Sequence, residues 1–188
     1  ITYLNCAYMS PQLNSVEAAG IEGLRRKSAP WEITTEDFFT DSERARELFA
    51  RLIGARANDI AFIPSASYGI AAAARNIHVG AGEKIVVLAE QFPSNYYTWQ
   101  KLAEQCGAHL HTVPVPADGD WTAALLETLN DGVAVVAIPQ VHWTDGSLVN
   151  LEAVGERCCR IAAALVLDLT QSAGALPFDV SAVEPDFA

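Results

Sequence analysis

The chain is 188 residues long, 51% hydrophobic and 19% charged, which is enough apolar sequence for one packed core and too much for a disordered segment. Twelve Lys and Arg against 23 Asp and Glu give a formal charge of −11; the only basic run, Arg25-Arg26-Lys27, is too short to offset it, so no nucleic-acid partner is expected. No apolar stretch reaches bilayer length and no charged leader opens the sequence, so the expected protein is cytoplasmic and makes no membrane contact.

In chain order, Thr2 to Asn5 reads as a short extended start. Ser10-Pro11 then offers an N-cap and a first-turn proline to a helix with Leu13, Val16 and Leu24 on its apolar face. Thr35 to Ile53 repeats Phe38, Phe39, Ala45, Leu48, Phe49 and Leu52 at helical spacing, and Gly54 ends it. Both helices are expected outside the sheet. Ile60 to Pro64 reads as a buried strand, Tyr68 to His78 as an alanine-rich helix closed by Gly80, and Lys84 to Glu90 as an apolar strand.

Helix Asn95 to Cys106, strand His109 to Val115, helix Thr122 to Leu129, strand Val133 to Pro139, helix Leu151 to Ala163 and strand Ala164 to Leu169 complete the alternation. Strands apolar on both faces require cover on both sides, so the expected fold is α/β, with a mainly parallel sheet covered by helices on both faces. The cysteines, Cys6, Cys106 and the pair Cys158-Cys159, have neither disulfide-scaffold density nor metal spacing, so reduced thiols and no metal site are expected.

Ligands of parallel α/β sheets bind beyond the carboxyl ends of the strands, which directs attention to four segments. Ser65-Ala66-Ser67 opens a helix, where free N–H groups and the helix dipole hold phosphate; it could equally be an ordinary serine cap. Phe92 could stack on a flat cofactor or pack at the rim. His142 suits acid/base work or a structural hydrogen bond, and Trp143 a pocket wall or core. Asp168 ends the apolar run ALVLD and needs a partner; a protonated ring nitrogen, an N-cap or magnesium would each serve. Each signal is weak alone, but with Gln171 nearby they jointly describe a pocket for pyridoxal 5'-phosphate.

The same segments resemble the large domain of class V aminotransferases, a fold type I pyridoxal-phosphate family that includes cysteine desulfurases and kynureninases. Tyr3-Leu4-Asn5-Cys6-Ala7 is similar to the family's opening strand and Ala66-Ser67-Tyr68-Gly69-Ile70 to its phosphate loop. Phe92-Pro93-Ser94-Asn95 with Trp99-Gln100 resembles its ring-stacking segment. Asp168-Leu169-Thr170-Gln171-Ser172-Ala173-Gly174, running to Pro177-Phe178-Asp179-Val180, resembles its Asp-x-x-Gln motif and is the most specific match.

The resemblance implies that Asp168 pairs with the pyridine nitrogen and Gln171 bonds the phenolic oxygen. It also implies that Ala66 and Ser67 hold the phosphate and that Phe92 stacks on the ring. The implied activity is transamination or Cα/Cβ lyase chemistry on a small amino acid, by a homodimer. Cysteine desulfurases usually carry histidine where Phe92 stands and a polar residue near Trp143, which demotes desulfuration as an alternative; kynureninases share the aromatic.

Family members form a Schiff base through a lysine just beyond a segment resembling Pro185-Asp186-Phe187-Ala188. Lys27, Lys84 and Lys101 are expected after a helix, at a strand start and on a helix, so none suits that role. Residues 1–188 are therefore expected to form most of one cofactor-binding large domain, cut short of that lysine and of the small C-terminal domain. A non-catalytic binding or scaffolding relative is the alternative from another class.

Overall fold

Helical periodicity becomes helix in the first part of the chain, with boundaries set by local side-chain chemistry. The computed structural model describes residues 1–6 and 9–188, which fall into two compact units, Ile1–Ala61 and Phe62–Ala188. In the first unit, α1 (Asn14–Arg26) starts beyond Ser10-Pro11, with Leu13 at its N-cap and no capping side chain. The apolar face expected for it is not buried: Leu13, Val16 and Leu24 are all exposed, and Gly20 and Gly23 leave gaps in the stripe.

The single helix expected from Thr35 to Ile53 is split. Asp37 accepts both the N–H and the hydroxyl of Thr34 at 2.8 Å and pairs with Arg26 at 2.6 Å, which stabilises a separate 3-10 turn, Glu36–Phe38, before α2 (Thr40–Ile53). Gly54, at φ 72°, closes α2 in the left-handed conformation that the sequence leads one to expect.

Two expected strands do not form. Thr2 to Asn5 has no strand partner among the described residues, and Ala7, the last residue of the opening segment, lies outside them. Ile60 to Pro64 is not a strand either: the Ile60 carbonyl accepts from Arg46 Nε at 2.8 Å instead of from a neighbouring strand, and Phe62 and Ile63 are exposed.

The second unit carries the sheet. After α3 (Ala66–Asn76), strands and helices alternate as β1 (Lys84–Leu88), α4 (Ser94–Cys106), β2 (His109–Val113), α5 (Trp121–Thr128), β3 (Val133–Pro139), α6 (Leu151–Ile161), β4 (Ala164–Asp168) and the short α7 (Val180–Val183). The strand order is β2-β1-β3-β4, all parallel, with Val86 opposite His111 and Val136, and Pro139 opposite Asp168. Asp186 and Phe187 lie along the outer edge of β4, where the Phe187 carbonyl accepts the Leu167 N–H at 2.9 Å.

Side chains alternate across the strands into two cores. Ile85 and Val87 of β1 pack with Val135, Ala137 and Val166 against Ile70, Ala73, Trp99 and Ala103 of α3 and α4. Val86 and Leu88 pack with Val136, Ile138 and Leu165 against Trp121, Leu125, Val154 and Cys158 of α5 and α6. Helices thus cover both faces, which explains why Ile85 to Leu88, Val133 to Pro139 and Ala164 to Leu167 are apolar at every position, while the edge strand β2 carries His109, His111 and Thr112. The order reverses at β1, since β2 flanks it on one side and β3 on the other, and such a switch point opens a crevice at the carboxyl ends of the strands.

Candidate functional site

At the start of α3, the Ser65 side chain accepts the Tyr68 N–H at 3.2 Å, an ordinary serine cap. That leaves the N–H groups of Ala66 and Ser67, in the first turn, without an intrahelical acceptor. Ala66 and Ser67 line a pocket; Ser65 caps the helix and is not among its lining residues.

The chain leaving β1 is braced from within. Gln91 is buried; its Oε1 accepts the Leu88 N–H at 3.2 Å and its Nε2 donates to the Asn95 carbonyl at 2.5 Å. Asn95 N–H in turn donates to the Phe92 carbonyl at 2.9 Å, and Asn95 Oδ1 accepts from Trp99 Nε1 at 3.0 Å. Phe92 and Ser94 emerge from this brace into the same pocket as Ala66 and Ser67.

At the carboxyl end of β4, Asp168 is only 8% exposed. Its Oδ1 accepts both the Thr170 N–H at 3.1 Å and the Thr170 hydroxyl at 2.5 Å. No protein donor among the described residues reaches Oδ2, so that oxygen is available to a ligand. Thr170 and Gln171 line the pocket beside Asp168. Among the described residues Asp168 is the only charged one lining the pocket, so an anion here would rely on N–H groups, hydroxyls and the α3 dipole.

One pocket therefore gathers Ala66, Ser67, Phe92, Asp168 and Gln171. Ser94 and Thr170 join it without having been singled out from the sequence. For Thr170 a signal was present: a hydroxyl two residues after an aspartate commonly bonds back to it. Such a pocket suits a flat, phosphorylated heterocycle with a protonated nitrogen.

His142 and Trp143 are not among the lining residues. His142 is 1% exposed and stacks on Trp121, with ring centroids 5.0 Å apart. Both its nitrogens are engaged, Nδ1 with Thr144 Oγ1 at 2.8 Å and Nε2 with the Ala89 carbonyl at 3.0 Å, so a structural hydrogen-bonding role accounts for it fully. Trp143 is half-exposed and touches Phe92 edge to face, with centroids 5.4 Å apart.

Lys27 caps the end of α1, Lys84 begins β1 at the amino end of the sheet, and Lys101 is exposed on α4; none lines the pocket. Cys158 is buried, and burial, reinforced by Asp186 and Cys159, pushes its thiol up to about 12, which makes it a poor nucleophile. Among the described residues no group of three or more His, Cys, Asp or Glu could hold a metal ion, and no helix is long and apolar enough to cross a membrane.

The model of the family described as Aminotransferase class-V matches residues 32–188. An uncharacterized aminotransferase, YcbU, of Bacillus subtilis is 28% identical over 160 residues, covering 85% of this chain and 41% of the relative. A probable cysteine desulfurase of Halalkalibacterium halodurans is 30% identical over 176 residues, covering 93% of this chain and 39% of the relative. The chain thus spans about two fifths of the length of these curated relatives. Among solved structures, a mutant of C-DES with glycine covalently linked to its PLP cofactor superposes with a TM-score of 0.84 at 23% identity. That match covers all of this chain and 51% of the other, and at that identity it speaks for the fold.

Proposed function

The chain belongs to the class V aminotransferase family, and from that premise we propose that the protein is a pyridoxal-phosphate-dependent enzyme acting on a small amino acid, by transamination or Cα/Cβ lyase chemistry. The observation that carries this reading is the convergence in one pocket of helix-start N–H groups, a serine hydroxyl, an aromatic ring and a buried carboxylate with one oxygen unpaired. These groups match the cofactor's phosphate, ring face and ring nitrogen. When bound, pyridoxal phosphate supplies an electron sink for negative charge developing at the substrate Cα.

In this reading the chain's own residues bind and orient. The Ala66 and Ser67 N–H groups and the Ser67 hydroxyl hold the phosphate at the α3 dipole. The Phe92 ring packs on one ring face. Asp168 Oδ2 accepts a hydrogen bond from the ring nitrogen and, as a nearby negative charge, keeps the proton on that atom. Thr170 occupies Oδ1, so the carboxylate turns its other oxygen to the ligand. Gln171 bonds the phenolic oxygen.

In this reading the reactive lysine and the small C-terminal domain belong to parts of the protein outside residues 1–188, and the assembly is a cytoplasmic homodimer. Cysteine desulfuration is a second reading, favoured by the similarity to the probable cysteine desulfurase of Halalkalibacterium halodurans and opposed by the aromatic residues Phe92 and Trp143; kynureninase-like cleavage fits Phe92 better.

The test is to load the full-length protein with pyridoxal phosphate, remove the excess by gel filtration and record absorbance and bound cofactor. About one cofactor per chain with a visible absorption band is expected. A protein that emerges colourless and cofactor-free contradicts the reading, and would favour the non-catalytic alternative if the fold is intact by circular dichroism.

A further inference from the structure

The residues immediately after β3 grip the residues immediately after β1. His142 Nε2 lies 3.0 Å from the Ala89 carbonyl and Trp143 Nε1 donates to the Glu90 carbonyl at 2.6 Å, so two consecutive side chains capture two consecutive carbonyls. Glu90 sits at φ 57°, a left-handed conformation that a non-glycine residue holds only when its surroundings enforce it. The grip holds the second and third residues before Phe92, and the indole that takes the Glu90 carbonyl also meets the Phe92 ring at 80°.

The gripping loop is itself held in shape. Val141 and Leu148 form an antiparallel bridge, His142 N–H donates to the Ser147 carbonyl at 2.8 Å, and the Asp145 carboxylate accepts the Ser147 N–H at 2.8 Å. His142 is further fixed by its stack on Trp121 of α5. Trp143 is therefore presented from a rigid base. The backbone of Phe92 has a separate anchor in Gln91 and Asn95, which leaves the ring orientation as the property that Trp143 controls.

We propose that Trp143 is a positioning residue for Phe92: its indole N–H fixes the turn at Glu90, and its ring edge sets the angle at which the Phe92 ring meets the cofactor. This rests on the pyridoxal-phosphate reading above. Trp143 does not line the pocket, so it acts through Phe92 and not by touching the ligand. The indole does two separable jobs. Trp143→Phe removes the N–H donor but keeps an aromatic ring, though a smaller one, whereas Trp143→Leu removes the aromatic edge as well.

The test is a double-mutant cycle in the full-length protein, with Trp143→Leu and Phe92→Ala made singly and together, and Trp143→Phe as the milder variant. The dissociation constant for pyridoxal phosphate and the induced circular dichroism of the bound cofactor are measured, and far-UV circular dichroism verifies folding. An edge-to-face contact of ordinary strength corresponds to about a two- to tenfold weakening in Trp143→Leu, with altered induced circular dichroism. In the Phe92→Ala background the Trp143 substitutions should add nothing.

Equal effects in both backgrounds, or no effect of either Trp143 variant, overturn the proposal. If Trp143→Leu fails to fold, Trp143→Met takes its place in the cycle, since it also removes the ring edge but fills more of the vacated space. A wild-type protein that does not bind pyridoxal phosphate defeats this proposal and the functional reading together. Wild-type binding with an additive cycle defeats this proposal alone.

Discussion

Alanine in place of Gly155 should destabilise the protein even though alanine is the better helix former. Gly155 is buried on α6, and a Cβ built there would overlap the carbonyl oxygen of Val183 and lie 3.1 Å from its carbonyl carbon. Carbon–oxygen contacts settle at about 3.3–3.6 Å, so the Val183 carbonyl would have to retreat by roughly an ångström. It has little room: Val183 is itself core, and Asp186 and Phe187, a few residues on, are hydrogen-bonded to Leu165 and Leu167 of β4.

Overpacking of this kind costs about 1–3 kcal/mol, against a gain of about 0.8–1 kcal/mol from helix propensity. Backbone is the obstacle here and not a flexible side chain, so the upper part of that range applies and the net loss is about 1–2 kcal/mol. For a chain of this size that lowers Tm by about 2–8 °C. Gly23→Ala on α1 is the control, because its Cβ would meet nothing within 4 Å, and the same substitution there should leave stability unchanged or raise it. Urea and thermal melts of both variants give the comparison; a Gly155→Ala protein as stable as wild type would refute the close α6–α7 approach.

Thiol reagents at neutral pH should modify exposed Cys6 and Cys159 promptly and leave Cys158 untouched until denaturant is added, because burial and a raised pKa both deny it thiolate character; peptide mapping after timed labelling reads this out. The Ser147 N–H holds the Asp145 carboxyl below its ordinary value of 3.8, and the Ser181 hydroxyl and N–H do the same for Asp179. A depressed carboxylate stabilises the fold above its ordinary pKa and loses that contribution as pH falls through the lower, folded value. Asp145→Asn and Asp179→Asn should therefore reduce stability at pH 7 and narrow their gap to wild type as the pH falls below the ordinary value of 3.8; a gap that stays constant on acidification would count against these bonds. Ser67→Ala removes one hydroxyl from the phosphate cradle but no backbone donor, so pyridoxal-phosphate affinity should fall by about three- to tenfold without loss of the absorption band, as measured by equilibrium dialysis.

The sheet was legible because β1, β3 and β4 bury both faces, and runs such as Ile85 to Leu88 and Val135 to Ile138 state that directly. Phe62-Ile63 carries the same apolar signal without forming a strand: hydrophobicity cannot say whether a ladder partner exists, and here Arg46, 14 residues away, takes the Ile60 carbonyl. Asp168, Phe92 and the α3 start could be picked out because each follows a strand or opens a helix, where parallel sheets bind ligands. The satisfied state of His142 could not, since Trp121 and the Ala89 carbonyl reach it from other elements. The two donors on Asp168 Oδ1 depend on a turn of two residues, a detail that no periodic pattern encodes.

The central claim is that Asp168, at the end of β4, faces the ring nitrogen of pyridoxal phosphate in the pocket shared with Ser67 and Phe92. Titrating pyridoxal phosphate into the full-length wild-type protein and its Asp168→Ala variant, followed by absorbance, tests it most directly. The loss of a charged hydrogen bond in a buried site predicts an affinity at least tenfold weaker and a shifted or absent visible band in the variant. An Asp168→Ala protein that binds with wild-type affinity and an unchanged spectrum would contradict the claim.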